Sequence, residues 1–170
     1  MITIRAVTEN DCSLLWQWAN DNDVRRSAFN TDLIAWTDHC HWFKKSLTNK
    51  NRFIYIGNNE ANSPVGQVRF DIVNKMAEID FSIDKKFRGS GFGKELLKLG
   101  IGRVVQETNV QALCAEIKVS NLKSLNCFKD SFFEFQGEVD IDGETVLRYN
   151  ITRTNVLRRL LSQRVGNQSH

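Results

Sequence analysis

The sequence has a single proline among 170 residues, and its ten glycines form no repeat or low-complexity tract. Apolar residues make up 41% and charged residues 25% of the chain, which excludes collagen-like and mainly disordered proteins. The length is that of one domain, so we expect a single hydrophobic core.

Long apolar runs and metal-binding patterns are also missing. No stretch of about 18 apolar residues is present, and the opening Met-Ile-Thr-Ile-Arg lacks the features of a signal peptide. The four cysteines include no C-x-x-C pair and the three histidines no H-x-x-x-H pair. We therefore predict a cytoplasmic protein with no membrane partner, no disulfide framework and no metal.

Acidic residues are absent after Glu144, where five arginines occur. The net charge of +3 thus divides into +5 for this last stretch and −2 for everything before it. We predict a domain over residues 1–152 and a basic C-terminal tail over 153–170 with a short helix. No RNA- or DNA-binding motif accompanies the arginines, so a nucleic-acid partner is not expected.

Hydrophobic periodicity predicts the order of elements. A short strand at 2–4 precedes a helix that the capping pattern Thr8-x-x-Asp11 opens, and a second helix starts at Thr37 after a polar stretch over 21–35. Three closely spaced strands then form an antiparallel meander. The remaining predictions are strands at 112–119, 132–139 and 146–152 and helices at 92–105 and 121–131, after meander strands at 53–56, 65–72 and 76–84.

The third meander strand runs directly into a glycine-rich turn, Arg88-Gly89-Ser90-Gly91-Phe92-Gly93, that opens a helix. The first N–H groups of a helix and its dipole attract phosphate, and each amide donating to a charged oxygen contributes roughly 1.5–3 kcal/mol. Such a turn suits a pyrophosphate, although a tight turn without a ligand is the alternative. A P-loop is excluded by Arg88 and Glu95 at two of its required positions, and a dinucleotide fingerprint by the early third glycine.

The spacing Arg88-x-x-Gly91-x-Gly93 at a strand-to-helix junction resembles the acetyl-coenzyme A motif of GNAT superfamily acetyltransferases. Asn121-x-x-Ser124-x-x-x-Phe128, after a later strand, resembles the second cofactor segment of that family. The order of elements from Ile4 to Tyr149 is similar too. The resemblance implies an α/β (α+β) fold: one domain with a mixed, mostly antiparallel seven-stranded sheet, flanked by about four helices and splayed between the fourth and fifth strands.

The resemblance also implies acetyl-CoA as co-substrate and a set of residues that bind it. The strand before the turn would pair with the pantetheine arm, with the Ile83 amide as oxyanion donor to the thioester. The turn would bind the pyrophosphate, and the second segment would contact the pantetheine. The residues so implied are Phe81, Ser82, Ile83, Arg88, Gly89, Ser90, Gly91, Phe92, Gly93, Lys94, Asn121, Ser124 and Phe128.

The catalytic base is predicted among strand carboxylates. Glu78 and Asp80 alternate onto one face of their strand, where the family often places a glutamate, and Glu116 on the neighbouring strand is a further candidate. Ordinary solvated strand residues are the alternative for each. Phe128 stands where the family commonly has a tyrosine that protonates the departing thiolate. Water or another hydroxyl would then act, or the thiolate would leave unprotonated.

The N-terminal portion is similar to GNAT acetyltransferases of pseudaminic-acid-type pathways, which act on nucleotide-linked amino sugars. This similarity implies the 4-amino group of a UDP-linked amino-deoxy sugar as the small-molecule acceptor, contacted by Arg25, Trp36, His39 and Arg69. Trp18 and Trp42 are assigned to packing instead. The alternatives are an N-acetyltransferase for a protein N-terminus or a polyamine, and a non-catalytic acyl-CoA-binding module. The chain is expected to be a monomer or a homodimer.

Overall fold

The structure, a computed structural model, describes residues 1–129 and 133–166, with side chains up to 162. Seven strands and six α-helices lie within these residues. In chain order they are β1 (Ile2–Ala6), α1 (Cys12–Ala19), α2 (Asn22–Ser27), α3 (Trp36–Thr48), β2 (Arg52–Asn59), β3 (Pro64–Val73), β4 (Met76–Ile83), α4 (Phe92–Glu107), β5 (Ala112–Lys118), α5 (Leu122–Lys129), β6 (Glu134–Ile141), β7 (Glu144–Thr152) and α6 (Arg153–Gly166).

The strands form one sheet in the order β1-β2-β3-β4-β5-β7-β6, and every neighbouring pair is antiparallel except β4 and β5. The parallel pair is short, because it ends where Glu78 lies beside Cys114. Beyond that point the two strands diverge. The mixed, splayed seven-stranded sheet is thus confirmed, whereas six helices are described in place of about four.

Two tight turns bring the antiparallel strands together. Asn74 and Lys75 join β3 to β4 with φ angles of 49° and 65°, and Asp142 and Gly143 join β6 to β7 with φ angles of 53° and 80°. Consecutive positive φ angles match the right-handed twist of the flanking strands in two-residue hairpins. Of the predicted meander, the β3–β4 connection has this geometry.

Helices cover both faces of the sheet. On one face α4 packs so closely on β3 that a Cβ atom at Gly100 would lie 2.5 Å from a methyl group of Val68. On the other face α1 and α3 bury Trp18 and Phe43 against Ile54 of β2. The two apolar layers cover the faces of the sheet, and the gap between β4 and β5 is the opening into the domain.

The segment between the first two predicted helices holds a helix that periodicity does not reveal. In α2, the Asp21 carboxylate accepts the N–H groups of Asp23 and Val24 and so caps the helix start. None of its residues is buried, which explains the absence of an apolar pattern. The polar stretch over 21–35 therefore contains a short capped helix.

The C-terminal segment packs on the domain through α6. Val156 is buried, and Leu160 lies 3.6 Å from a Cβ position at Gly102 of α4. The division into a domain over 1–152 and a tail over 153–170 stays a prediction. Of the predicted elements, the end of the 121–131 helix, the first residue of the 132–139 strand and the last four residues of the tail lie outside the described residues. Within the described part of the chain, no helix has the length and apolar character needed to cross a membrane.

Candidate active site

A cleft of about 930 Å³ opens where β4 and β5 diverge, and this volume is in the range of small-molecule sites. Its wall consists of the ends of β4 and β5, the start of α4, α5, and side chains from α1 to α3. Most of the predicted site residues line it. They are Arg25, His39, Arg69, Glu78, Asp80, Phe81, Ser82, Ile83, Arg88, Gly89, Gly91, Phe92, Gly93, Lys94, Asn121, Ser124 and Phe128, whereas Ser90 and Trp36 are outside the lining.

The backbone of β4 faces this cleft beyond its last pair with β5. The Asp84 N–H donates to the Val65 carbonyl at 2.9 Å, so Asp84 and alternate residues before it point towards β3. Phe81 and Ile83 consequently point their backbone groups into the gap. The Ile83 carbonyl accepts the Nε–H of Arg88 at 3.0 Å, and the Ile83 N–H lies on the same side of the strand.

The glycine turn places the N-terminus of α4 at the cleft. Gly89 and Gly91 have φ angles of 80° and 81°, a conformation that strongly favours glycine, and Gly91 is the N-cap of α4. A Cβ atom at either position would meet no atom within 4 Å, so the space above the turn is open. This open space leaves room for an anion beside the amides that follow Gly91.

Arg88 differs from the expectation of a guanidinium held ready for phosphate. Its Nη2 and Nη1 donate to Asp21 at 2.6 Å and to Asp23 at 2.9 Å, in addition to the Nε–H bond to Ile83. Three of its five N–H groups are therefore engaged. Burial alone would raise the pKa of Asp21, but hydrogen bonds from Arg88 and from backbone amides hold this pKa below its usual value.

The second motif forms the floor of the cleft. The Asn121 side chain accepts the N–H of Ser124 at 3.2 Å and so caps α5. Phe128, only 1% exposed, packs edge-on to Phe81 at 5.8 Å and lies 6.2 Å from Tyr149 between ring centres. The side chain of Phe128 is therefore an apolar part of the cleft wall and supplies no hydroxyl group.

Five carboxylates line the cleft: Asp23, Asp38, Glu78, Asp80 and Glu116. Asp80 accepts the Gln67 amide at 3.1 Å, and Glu116 pairs with Arg148 at 2.5 Å. Glu78 forms no ion pair with the described residues. Burial raises the pKa of Glu78, and the nearby carboxylates of Glu116, Asp71 and Asp80 raise it further against the opposing effect of Arg69.

The raised pKa makes Glu78 the strongest candidate base, because it can hold a proton nearer neutral pH than an ordinary glutamate. Its neighbour Cys114 does not compete for this role. Burial, together with the charges of Glu78 and Glu116, raises the pKa of Cys114 to about 11.

Two of the predicted acceptor contacts have other partners. Arg25 donates from Nε to the Ala19 carbonyl at 2.5 Å and from Nη1 to those of Asn30 and Asp32 at 3.1 and 3.3 Å, so it braces the connection after α2. Arg69 donates to Asp71 at 2.9 Å. Both line the cleft: Arg69 pairs with the Asp71 carboxylate, whereas Arg25 is bound to backbone carbonyls.

The predicted aromatic residues at this end differ in their relation to the cleft. Trp36 packs outside the lining, with its ring 5.4 Å from that of Trp16 and 6.2 Å from His39. His39 is 3% exposed and bonded through Nε2 to the Cys12 carbonyl at 2.9 Å, and burial lowers its pKa. Trp42 packs against the apolar cluster between α1, α3 and β2, as assigned, and also lines the cleft.

Trp42 and Lys118 are two of the lining residues that the sequence analysis did not assign to the site. Arg52 and Arg69 lie over the Trp42 ring at 5.3 and 5.6 Å. Trp42 follows Asp38 by one helical turn, and this spacing could have placed both on one face. Lys118 has a side chain only 4% exposed, paired with Glu144 at 2.7 Å; no sequence signal marks it.

Metal chemistry has no obvious ligand set at this site. Within the described ranges, no three His, Cys, Asp or Glu side chains are grouped so that they could hold a metal ion.

The family model for the acetyltransferase (GNAT) domain matches residues 1–132. A probable spermine N(1)-acetyltransferase of Bacillus subtilis subsp. natto (strain BEST195) is 25% identical over 151 residues, which is 86% of this chain and 96% of the relative. A putative phosphinothricin acetyltransferase of Bacillus subtilis (strain 168) is 29% identical over 143 residues, 78% of this chain and 82% of the relative.

Solved structures share the fold. The spermidine N-acetyltransferase from Vibrio cholerae in complex with CoA and spermine superimposes with a TM-score of 0.83 at 18% identity, covering 92% of this chain and 98% of the other. An aminoglycoside acetyltransferase in complex with coenzyme A gives a TM-score of 0.79 at 19% identity, covering 93% and 98%.

Proposed function

Because this chain belongs to the GNAT acetyltransferase family, we propose that it transfers the acetyl group of acetyl-CoA to a primary amine of a polyamine. One observation carries the proposal. The divergence of β4 from β5 opens a single cleft that contains both the Gly91-capped start of α4 and the carboxylate of Glu78. An anion-binding turn and a candidate base therefore lie in one space.

The coenzyme end of the cleft fits a phosphorylated, elongated thioester. The open turn over 89–93 offers backbone N–H groups to a pyrophosphate, with Lys94 beside it, and Phe81 and Ile83 offer backbone pairing to a pantetheine arm. Asn121, Ser124 and Phe128 complete that wall. Acetyl-CoA supplies a thioester carbonyl that an amine attacks without a metal, and the Ile83 N–H is the proposed donor to its oxygen.

Glu78 is proposed to prepare the acceptor. An alkylammonium with a pKa near 10 is protonated at neutral pH and must lose a proton, directly or through water, to the Glu78 carboxylate. The amine nitrogen then bonds to the carbonyl carbon, the carbon–sulfur bond breaks, and the nitrogen loses its second proton to water. A thiol with a pKa of about 8.5 leaves as thiolate without a large penalty, which is compatible with Phe128 in place of a hydroxyl donor.

The charges at the acceptor end favour a polyamine over the nucleotide-linked sugar that the sequence first suggests. A diphosphate needs available cations, whereas Arg25 and Arg69 are engaged by carbonyl and carboxylate oxygens. Asp38 and Glu78 face the cleft without an ion pair to any described residue. The relatives are named for polyamines, an aminoglycoside and phosphinothricin, and the polyamine alternative agrees with the spermine and spermidine enzymes among them.

Acceptor choice is tested by incubating the protein and acetyl-CoA with spermine, spermidine, a UDP-linked 4-amino sugar, a peptide with a free N-terminus, or no acceptor. We expect CoA release and an acetylated product, measured by thiol titration and mass spectrometry, with the polyamines. Turnover with the UDP-sugar or the peptide alone would reject the polyamine. Binding of acetyl-CoA without turnover of any acceptor would indicate a non-catalytic module.

A further inference from the structure

Helix α2 is bound to the coenzyme end of the cleft by a network of ion pairs. Asp21 and Asp23 both contact the guanidinium of Arg88, at 2.6 and 2.9 Å, and Asp23 lies 3.6 Å from the ammonium of Lys123 on α5. Arg26 of α2 also pairs with Asp23. The carboxylate of Asp23 is therefore shared among cations of three segments: α2, the glycine turn and α5.

The same helix forms part of the acceptor end. Asp23, Val24 and Arg25 line the cleft, and Arg25 braces the backbone carbonyls of Asn30 and Asp32. A displacement of α2 would thus carry the connection over 28–34 with it. Since Asp21 is the N-cap of α2 as well as a partner of Arg88, the start of the helix and the coenzyme turn depend on one carboxylate.

We propose that Asp23, together with Asp21, sets the affinity for the coenzyme by competing with its pyrophosphate for Arg88 and Lys123. This proposal rests on the function proposed above. A pyrophosphate at the α4 N-terminus would attract these two cations and repel both carboxylates. Coenzyme binding then weakens the ion pairs that hold α2 in place. By reciprocity, an acceptor that binds better while these ion pairs are intact weakens coenzyme binding.

The substitution Asp23→Asn removes the charge while it keeps the size of the side chain. We expect CoA to bind about threefold to tenfold tighter by isothermal titration calorimetry at low salt, with a smaller gain at high salt because exposed charges are screened. A role of Asp23 in structure alone would instead weaken binding. Asp32→Asn is the matched control, because Asp32 lies in the connection after α2 and its carboxylate forms no ion pair with the described residues. The CoA affinity of this variant should stay within about twofold of that of the unmodified protein.

Hydrogen exchange of the unmodified protein gives a second readout that does not depend on the variant folding. We expect backbone amides over 21–32 to exchange faster with CoA than without it. Slower exchange there, or Asp23→Asn affinity equal to or weaker than that of the unmodified protein, overturns the competition. Absence of CoA binding by the unmodified protein would overturn the proposed function as well, so the two failures are distinguishable.

Discussion

Replacing Glu78 by glutamine is expected to lower kcat/KM for spermine by about a hundredfold to ten-thousandfold, the range typical of a lost general base. Glutamine keeps the size and polarity of the side chain but cannot accept the proton of the ammonium acceptor. CoA affinity should change little, because Glu78 lies at the acceptor side of the cleft. Steady-state kinetics together with CoA titration separates the two effects.

The dependence of activity on pH gives a second test of Glu78 as the base. Burial and the carboxylates of Glu116, Asp71 and Asp80 raise the pKa of Glu78, so the base becomes protonated at a higher pH than an ordinary glutamate. Activity should fall as the pH is lowered through that raised pKa, and Glu78→Gln should lack this acidic limb. Glu116→Gln removes one of the raising charges and should move the limb to lower pH. Retention of the limb in Glu78→Gln, with its loss in Asp80→Asn, would assign the base to Asp80.

Replacing Gly91 by valine is expected to weaken CoA binding by about a hundredfold or more. The left-handed φ of 81° costs a β-branched residue roughly 1–2 kcal/mol, and the new methyl groups would enter the open space above the amides of α4. This strain lowers the stability with or without CoA, whereas loss of one or two charge-assisted hydrogen bonds, each about 1.5–3 kcal/mol, accounts for the weaker binding. Calorimetric titration with CoA measures the change.

Gly143→Val is the matched control for this substitution. Gly143 has a φ of 80° and equally open space around its Cβ position, but it lies in the β6–β7 turn outside the cleft lining. Its replacement should lower the thermal stability by a similar amount and leave CoA affinity unchanged. Equal CoA affinity in Gly91→Val and the unmodified protein would remove the glycine turn from the binding site.

The coenzyme end of the cleft could be predicted because its signals are local. A strand, a turn with Gly89 and Gly91, and an amphipathic helix follow one another in the chain, so spacing alone places the open amides at the helix start. Glu78 and Asp80 are likewise placed on one strand face by alternation. These predictions depend on neighbours within a few residues.

The acceptor end could not be predicted because it is assembled from distant segments. Arg88 meets Asp21 across 67 residues of sequence and Asp23 across 65, and no periodicity reveals these ion pairs or the short α2 that they hold. Helical spacing predicts that Trp42 points inward, but it does not distinguish a position in the core from one that lines a cleft. Trp42 therefore both packs against the apolar cluster and lines the cleft, and Trp36, 45% exposed, lies outside the lining.

A crystal structure of the protein with CoA tests most directly whether the gap between β4 and β5 holds the coenzyme beside Glu78. We expect pyrophosphate oxygens within hydrogen-bond distance of backbone N–H groups over 89–94. The pantetheine should extend along Phe81 and Ile83, with the sulfur near the Ile83 N–H. CoA bound outside this gap, or with its pyrophosphate away from the start of α4, would contradict the proposed site.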